Sequence, residues 1–152
     1  MPRGQVGSFD EDDVLMSGGS HVGAIYGRCG GRILGSQLEQ EVCDLLSRAG
    51  ITHSHSPRHF EIRLNDETVA AYAPRIVLRG RGREGKSVVI ETATDVAETP
   101  LEKISAFRQQ YGSEFYFCFI APEEVLDEIP ISAYDEASST VDMHTLISRL
   151  AD

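Results

Sequence analysis

The chain has 152 residues, which suits one domain able to bury a core without disulfide or metal staples. Its net charge of -10 argues against a generally basic nucleic-acid binder, but the acidic excess lies at the ends, because residues 21–120 hold 12 basic and 12 acidic side chains. No run reaches the roughly 18 apolar residues of a membrane span and the start lacks a secretory signal, so a soluble, cytoplasmic protein is expected.

The beginning of the chain carries few structural signals. Residues 1–20 combine an acidic run with glycine and serine, and they are predicted to form a flexible arm because they can bury little apolar surface. Residues 21–35 contain five glycines and are expected to pack on the domain as an extra strand or an irregular cover. The domain itself is predicted to span residues 36–152.

The first helix has the clearest signals in the chain. Ser36 and Glu39 have the spacing of a capping box, and apolar residues recur on one helical face from Leu38 onwards. Gly50 is placed as a C-terminal stop. These features predict a helix over about 37–49.

Three strands are predicted to follow this helix. Residues 59–64 alternate between apolar and polar side chains, and residues 69–79 and 87–92 are rich in apolar side chains. The connections between the three segments are short. They therefore predict an antiparallel meander whose last turn is the loop 79–86.

The second half of the chain predicts a crossover. Thr99 and Glu102 repeat the capping-box spacing around Pro100, so a second helix is expected to start there. The apolar run 115–120 predicts a strand covered on both faces, and the order strand, helix, strand implies a parallel, right-handed connection. A helical turn after Pro122 and a last amphipathic helix complete an α/β fold of order α-β-β-β-α-β-α, a mixed sheet flanked by helices.

The cysteines and histidines do not form a recognisable metal-binding pattern. Cys29, Cys43 and Cys118 are odd in number and lack ligand spacing, so buried thiols are expected. His53 and His55 point to the same side only in an extended segment, and no cysteine or carboxylate is placed in the sequence to complete a ligand set. The sequence therefore predicts no metal site among these histidines, and no cofactor is expected.

Four short motifs lie within residues 36–121: the run 36–46, Pro57-Arg-His-Phe-Glu61, Tyr72-Ala-Pro74 and Val88-Val-Ile-Glu91. With the order of the elements, they resemble the core of the PD-(D/E)XK nuclease superfamily, which has the restriction-endonuclease-like fold. In that family, a Pro-Asp on one strand and a Glu-X-Lys on the next converge on metal ions. The resemblance implies that Glu91 is the metal-binding glutamate.

The resemblance also implies a degenerate active site. Arg75 stands at the aspartate position, and Ala93 stands at the lysine position. A permanent cation in place of an anion should repel a divalent ion, so the Arg75 guanidinium is expected to pair with Glu91 instead. Two of the three chemical groups of the family site are then missing.

An active alternative would need groups from other positions. Lys103 lies on the crossover helix, to which the catalytic lysine has moved in some members of the family. Glu39 matches a first-helix glutamate that joins the family metal site, and Asp95 and Glu61 are further carboxylates. Each of these residues also has an ordinary structural interpretation. A site rebuilt in this way would be catalytic through Glu91 and Lys103 and would use Mg²⁺ or Mn²⁺ to hydrolyse phosphodiester bonds.

The loop 79–86 concentrates positive charge in an otherwise acidic chain, with four cations at Arg79, Arg81, Arg83 and Lys86. It is interpreted either as a solvated hairpin tip or as a clamp whose cations contact phosphates. The second interpretation makes these four side chains the candidate nucleic-acid-binding residues.

Three functions remain open from the sequence. The favoured one is a nuclease-like pseudoenzyme that acts as a non-catalytic DNA- or RNA-binding or assembly component of a nucleic-acid-processing system. The second is an active Mg²⁺-dependent endonuclease with a rearranged site, and the third is a protein-interaction module. No membrane partner is expected, and a homodimer would agree with the resemblance because nucleases of this fold often pair.

Overall fold

The computed structural model describes residues 27–152 as a mixed α/β arrangement with four α-helices and a central five-stranded sheet. The predicted arm 1–20 and residues 21–26 lie outside the described residues. Within residues 27–152, no helix combines the length and apolar character needed to cross a membrane.

The helices and strands have the following bounds in chain order: β1 Arg28–Cys29, β2 Arg32–Ile33, α1 Gln37–Arg48, β3 Ser54–His55, β4 Phe60–Arg63, β5 Val69–Tyr72, β6 Ile76–Leu78, β7 Ser87–Thr92, α2 Leu101–Tyr111, β8 Phe115–Ala121, α3 Glu123–Leu126, β9 Glu136–Ser139 and α4 Met143–Leu150. The central sheet has the strand order β3-β6-β7-β8-β9. Strand β7 pairs antiparallel with β6 and parallel with β8, which confirms the predicted crossover through α2.

The predicted three-stranded meander is wrong in one respect. The segment 69–79 forms two strands that belong to different sheets: β5 pairs only with β4, whereas β6 joins β7 in the central sheet. The break falls at Ala73 and Pro74, where the proline ring restricts the preceding residue and removes a backbone donor. The β4–β5 hairpin therefore becomes a separate layer over α2 rather than part of the sheet.

The two faces of the central sheet bury two separate cores. On one face, Val89 and Phe117 pack with α2 and the β4–β5 hairpin; on the other, Val88 and Ile90 pack with α1 and α4. This division follows the period-two alternation of strand side chains. The carboxyl end of β7, which carries Glu91, is thereby fixed from both sides.

The helix starts show one correct and one wrong prediction. Ser36 accepts a hydrogen bond from the Glu39 N–H at 3.0 Å, and Gly50 ends the helix with φ of 73°. Thr99 does not cap α2: its hydroxyl donates to the Asp95 carbonyl, and Pro100 precedes the first helical residue without a side-chain cap. The loop before α2 forms its own turn of 3₁₀ helix. The side chains there hydrogen-bond within this turn and do not cap α2.

Three short pieces of sheet were not specified by the sequence. Residues 28–33 form the β1–β2 hairpin. Of the two alternatives predicted for residues 21–35, this part therefore forms strands and not an irregular cover. Strand β3 extends the central sheet at one edge, and β9 extends it in parallel at the other. Strand β3 matters most for the site, because it holds His55.

Candidate functional site and comparisons with known proteins

Glu91 lies at the end of β7 and is almost completely buried, with 4 % of its surface exposed. Its carboxylate accepts hydrogen bonds from the Tyr72 hydroxyl and from the Arg75 backbone N–H, the latter at 3.1 Å. Burial raises the pKa of the Glu91 carboxyl, while the charge of Arg75 and the bond from Tyr72 act in the opposite direction. Protein donors therefore replace water around this carboxylate.

Arg75 lies between two glutamates. Its Nε is 3.4 Å from Glu91 Oε1, and its Nη1 is 3.1 Å from Glu39 Oε1. The predicted pairing of Arg75 with Glu91 is thus confirmed, and Glu39 is an additional partner. The guanidinium occupies the space between the two carboxylates and forms an ion pair with each of them.

Gly35 allows the guanidinium to take this position. A Cβ atom at Gly35 would lie 2.6 Å from Arg75 Nη1 and 3.2 Å from Glu39 Oε1. The Gly35 N–H also donates to Glu39 Oε1 at 2.8 Å. The residue before the helix cap therefore shapes the Arg75 site as well as the start of α1.

Glu39 connects this site to β3. Its second oxygen, Oε2, is 2.6 Å from Nδ1 of the buried His55. Burial alone would raise the pKa of Glu39, but the bonds from His55, Gly35 and Arg75 outweigh it and leave the pKa below its ordinary value. The side chains form a continuous chain of polar contacts in the order His55, Glu39, Arg75, Glu91 and Tyr72.

A small cavity of about 130 Å³ opens beside this chain of contacts. Arg75 and Glu91 line one part of the cavity. The loop that follows β7 lines another part with Ala93, Asp95 and Glu98. Asp95 accepts the Ala97 N–H at 3.0 Å and so caps a local helical turn. Ala93, which the resemblance predicts to stand at the lysine position, is buried and adds only a methyl group to the wall.

The other candidates for a rebuilt active site lie elsewhere. The Lys103 ammonium donates to the Ala71 carbonyl at 3.3 Å, and Lys103 is not among the residues that line the cavity beside Glu91. Glu61 is exposed on β4, as predicted. Among the described residues, neither Glu91 nor Glu39 belongs to a cluster of three or more potential metal ligands.

The basic loop is partly used inside the molecule. Arg81 donates from Nη1 to the carbonyls of Leu150 and Ala151 at the end of α4, at 3.3 and 3.0 Å. Lys86 donates from Nζ to the Gly112 carbonyl at the end of α2, at 3.0 Å. Cations at helix C-termini stabilise the unpaired carbonyls there, so these two side chains support the fold.

Arg79 lies at a different place from these two cations. It lines a groove of about 460 Å³ with Arg58, Phe60 and Phe115. The Arg58 guanidinium lies 4.1 Å from the centre of the Phe60 ring, and the two phenylalanine rings are in edge-to-face contact with centres 5.6 Å apart. Two cations and an aromatic wall therefore meet on one surface. The remaining loop cation, Arg83, lies over the Tyr116 ring at 5.5 Å.

A second polar cluster lies behind Glu39. Cys29, Cys43, His53 and His55 bring one potential ligand atom each to within 4.8 Å of the others. The sequence interpretation that no cysteine is placed to complete the histidines is wrong, because β1 supplies Cys29 and α1 supplies Cys43. His53 directly precedes β3 and His55 lies in it, and their ring centres are 5.0 Å apart, so both rings lie on one side of this segment.

Tyr72, His55 and the two cysteines were not predicted as site residues. Tyr72 stands in the Tyr72-Ala-Pro74 motif, and its inward position on β5 follows from alternation with the exposed Ala71. The cysteines carried no comparable signal, since Cys29 and Cys43 lie on two different elements, at no regular spacing from each other or from the histidines.

No protein-family model matches the chain, and no curated protein or solved structure is significantly similar to it.

Proposed function

We propose that this protein is a non-catalytic, restriction-endonuclease-like domain that acts as a nucleic-acid-binding or assembly component of a DNA- or RNA-processing system. The observation that carries the proposal is the Arg75 guanidinium between Glu39 and Glu91. In an active PD-(D/E)XK nuclease, that position would hold a metal ion that neutralises the scissile phosphate. Here the positive charge between the carboxylates is the protein's own guanidinium.

The groove of Arg58 and Arg79 is the proposed nucleic-acid contact. Two exposed guanidinium groups suit phosphate oxygens, and the half-buried Phe115 ring offers apolar surface beside them. Arg81 and Lys86 are already hydrogen-bonded to carbonyls at helix ends. The proposed nucleic-acid contact is therefore limited to Arg79, the first residue of the loop, and the neighbouring Arg58. This refines the loop 79–86 clamp that the sequence suggests.

Binding is tested by fluorescence anisotropy of the full chain with labelled single-stranded and duplex DNA and RNA at several salt concentrations. Arg58→Ser with Arg79→Ser should remove most of the binding. For duplex DNA, it should make the plot of log affinity against log salt shallower by about 1.8, because each lost phosphate contact contributes about 0.9.

The matched control is Arg48→Ser with Arg63→Ser, which removes the same charge from two other exposed sites. It should leave the salt slope nearly unchanged. An equal loss in both double variants would mean that net charge, not the groove, controls binding. Absence of binding by the original protein at low salt would favour the protein-interaction module.

Catalysis is tested separately with Mg²⁺ or Mn²⁺. DNA and RNA should remain uncut, since Arg75 fills the metal position and Ala93 brings no ammonium. Cleavage that disappears on Glu91→Ala would overturn the non-catalytic assignment. Lys103→Ala would then show whether that lysine takes part.

A further inference from the structure

We propose that Cys29, Cys43, His53 and His55 bind one zinc ion in a closed structural site. This inference does not depend on the proposed function, because none of the four side chains belongs to the Arg58–Arg79 groove or lines the cavity beside Glu91. Two thiolates and two imidazoles are a standard ligand set for structural zinc.

The distances between the side chains fit a tetrahedral ion. Bond lengths of about 2.3 Å to sulfur and about 2.05 Å to nitrogen place the two atoms about 3.6 Å apart at the tetrahedral angle. His53 Nε2 lies 3.6 Å from Cys29 Sγ and 3.4 Å from Cys43 Sγ. All four potential ligand atoms lie within 4.8 Å of one another.

Both histidines are oriented as metal ligands. His53 Nδ1 is 2.9 Å from the Ile51 carbonyl oxygen, which can only accept, so this nitrogen carries the hydrogen and Nε2 carries the lone pair. His55 Nδ1 donates in the same way to the Glu39 carboxylate at 2.6 Å. A carbonyl or carboxylate behind each imidazole is the usual outer support of a metal-bound histidine.

His55 Nε2 provides the independent sign of a ligand. This atom is buried and is the single buried side-chain nitrogen or oxygen among the described residues that has no hydrogen-bond partner. A buried lone pair without a donor costs free energy, and coordination to a metal removes that cost. Its position beside two thiols indicates which kind of ion would do so.

The thiols agree with this assignment. Cys43 is buried on α1, and Cys29 is half-buried on β1. Both thiols also point at the same lone pair on His53, which a single S–H donor would satisfy. A bound cation would hold both sulfurs as thiolates and resolve this competition.

The four ligands come from β1, α1 and the segment that enters β3, so an ion there would tie the N-terminal hairpin to the helix and the sheet edge. A complete set of four protein ligands leaves no position for water, which makes the role structural. Soft sulfur with imidazole in a tetrahedral arrangement favours zinc over magnesium or manganese.

The test uses the full chain, stripped of metal under reducing conditions and titrated with Co²⁺ and then Zn²⁺. One Co²⁺ per chain should bind with the visible bands of a tetrahedral ion and thiolate charge-transfer absorption, and Zn²⁺ should displace it. Cys29→Ser, which changes a half-buried ligand outside the core, should lose the tetrahedral spectrum or weaken Zn²⁺ binding at least about 10-fold.

Matched controls separate this site from general thiol or imidazole binding. Cys118→Ala removes a cysteine outside the cluster, and His59→Ala removes an exposed histidine; both should keep the tetrahedral spectrum and the affinity. Glu39→Gln should weaken Zn²⁺ about 10–100-fold, as expected of an outer-shell carboxylate.

Several results would overturn the proposal. One is a folded wild-type chain that binds no Co²⁺ or Zn²⁺. Another is an equal loss in Cys29→Ser and Cys118→Ala, and a third is Co²⁺ binding that lacks thiolate charge-transfer absorption. If Cys43→Ser fails to fold, His53→Ala together with Cys29→Ser still decides the outcome.

Discussion

Two polar clusters share Glu39 and differ in how their members are satisfied. Around Arg75, each carboxylate has donors from the protein, and the cation is positioned between its two anions. Around His53 and His55, lone pairs and thiols point toward one another, and one buried nitrogen has no donor among the described residues. A cluster whose buried polar atoms all have hydrogen-bond partners supports a structural role. A cluster in which a buried polar atom has no partner indicates a bound ligand.

The largest effect that would sharpen this comparison is metal removal. If zinc holds the Cys/His cluster, a strong chelator should lower stability by about 4 kcal/mol relative to protein with free metal at about 1,000 times Kd. The melting temperature should then fall by roughly 12 °C, as followed by circular dichroism. Cys29→Ser should show little further response to the chelator, and an unchanged wild-type melting temperature would contradict a stabilising ion.

A smaller effect is expected at the satisfied cluster. Glu91→Ala should lower the free energy of unfolding by about 3 kcal/mol, because it leaves Arg75 and the Tyr72 hydroxyl without their buried acceptor. Urea denaturation measures the loss. Glu61→Ala removes an exposed glutamate and should stay within about 0.5 kcal/mol; a similar loss in both would break the distinction.

The smallest effect is expected in the basic loop. Arg81→Ser should cost about 0.5–1 kcal/mol, because the carbonyls at the end of α4 lose their cation. Arg79→Ser should change the free energy of unfolding by less than about 0.5 kcal/mol, since Arg79 is exposed in the groove. Equal costs for the two variants, measured by thermal denaturation, would argue against separate structural and binding roles.

Local patterns explain what could be predicted from the sequence. Helix α1 has a cap and a periodic apolar face, strand β7 is a short apolar run, and both elements have bounds close to the predicted ones. Arg75 was expected to pair with Glu91 because a cation beside a buried anion has few other partners for its charge. Its second partner, Glu39, lies on another element, so only the folded chain brings it close.

The remaining features depend on contacts between distant segments. The apolar character of residues 69–79 conceals a change of sheet, for which Pro74 was the available signal. The Cys/His cluster draws on β1, α1 and β3, and only the spacing of His53 and His55 was visible in advance. Thr99 is the opposite case, because its capping-box spacing predicted a cap that is not formed. Its hydroxyl instead donates a hydrogen bond within the turn before α2.

The position of the Cys/His cluster along the chain has a consequence for folding order. Its four side chains lie between Cys29 and His55, whereas the central sheet needs strands that extend to Ser139. During synthesis all four therefore leave the ribosome before β6 to β9 are complete, and loops between such near neighbours close at low entropic cost. A metal bound at this stage would fix β3 early and give β6 an edge on which to pair.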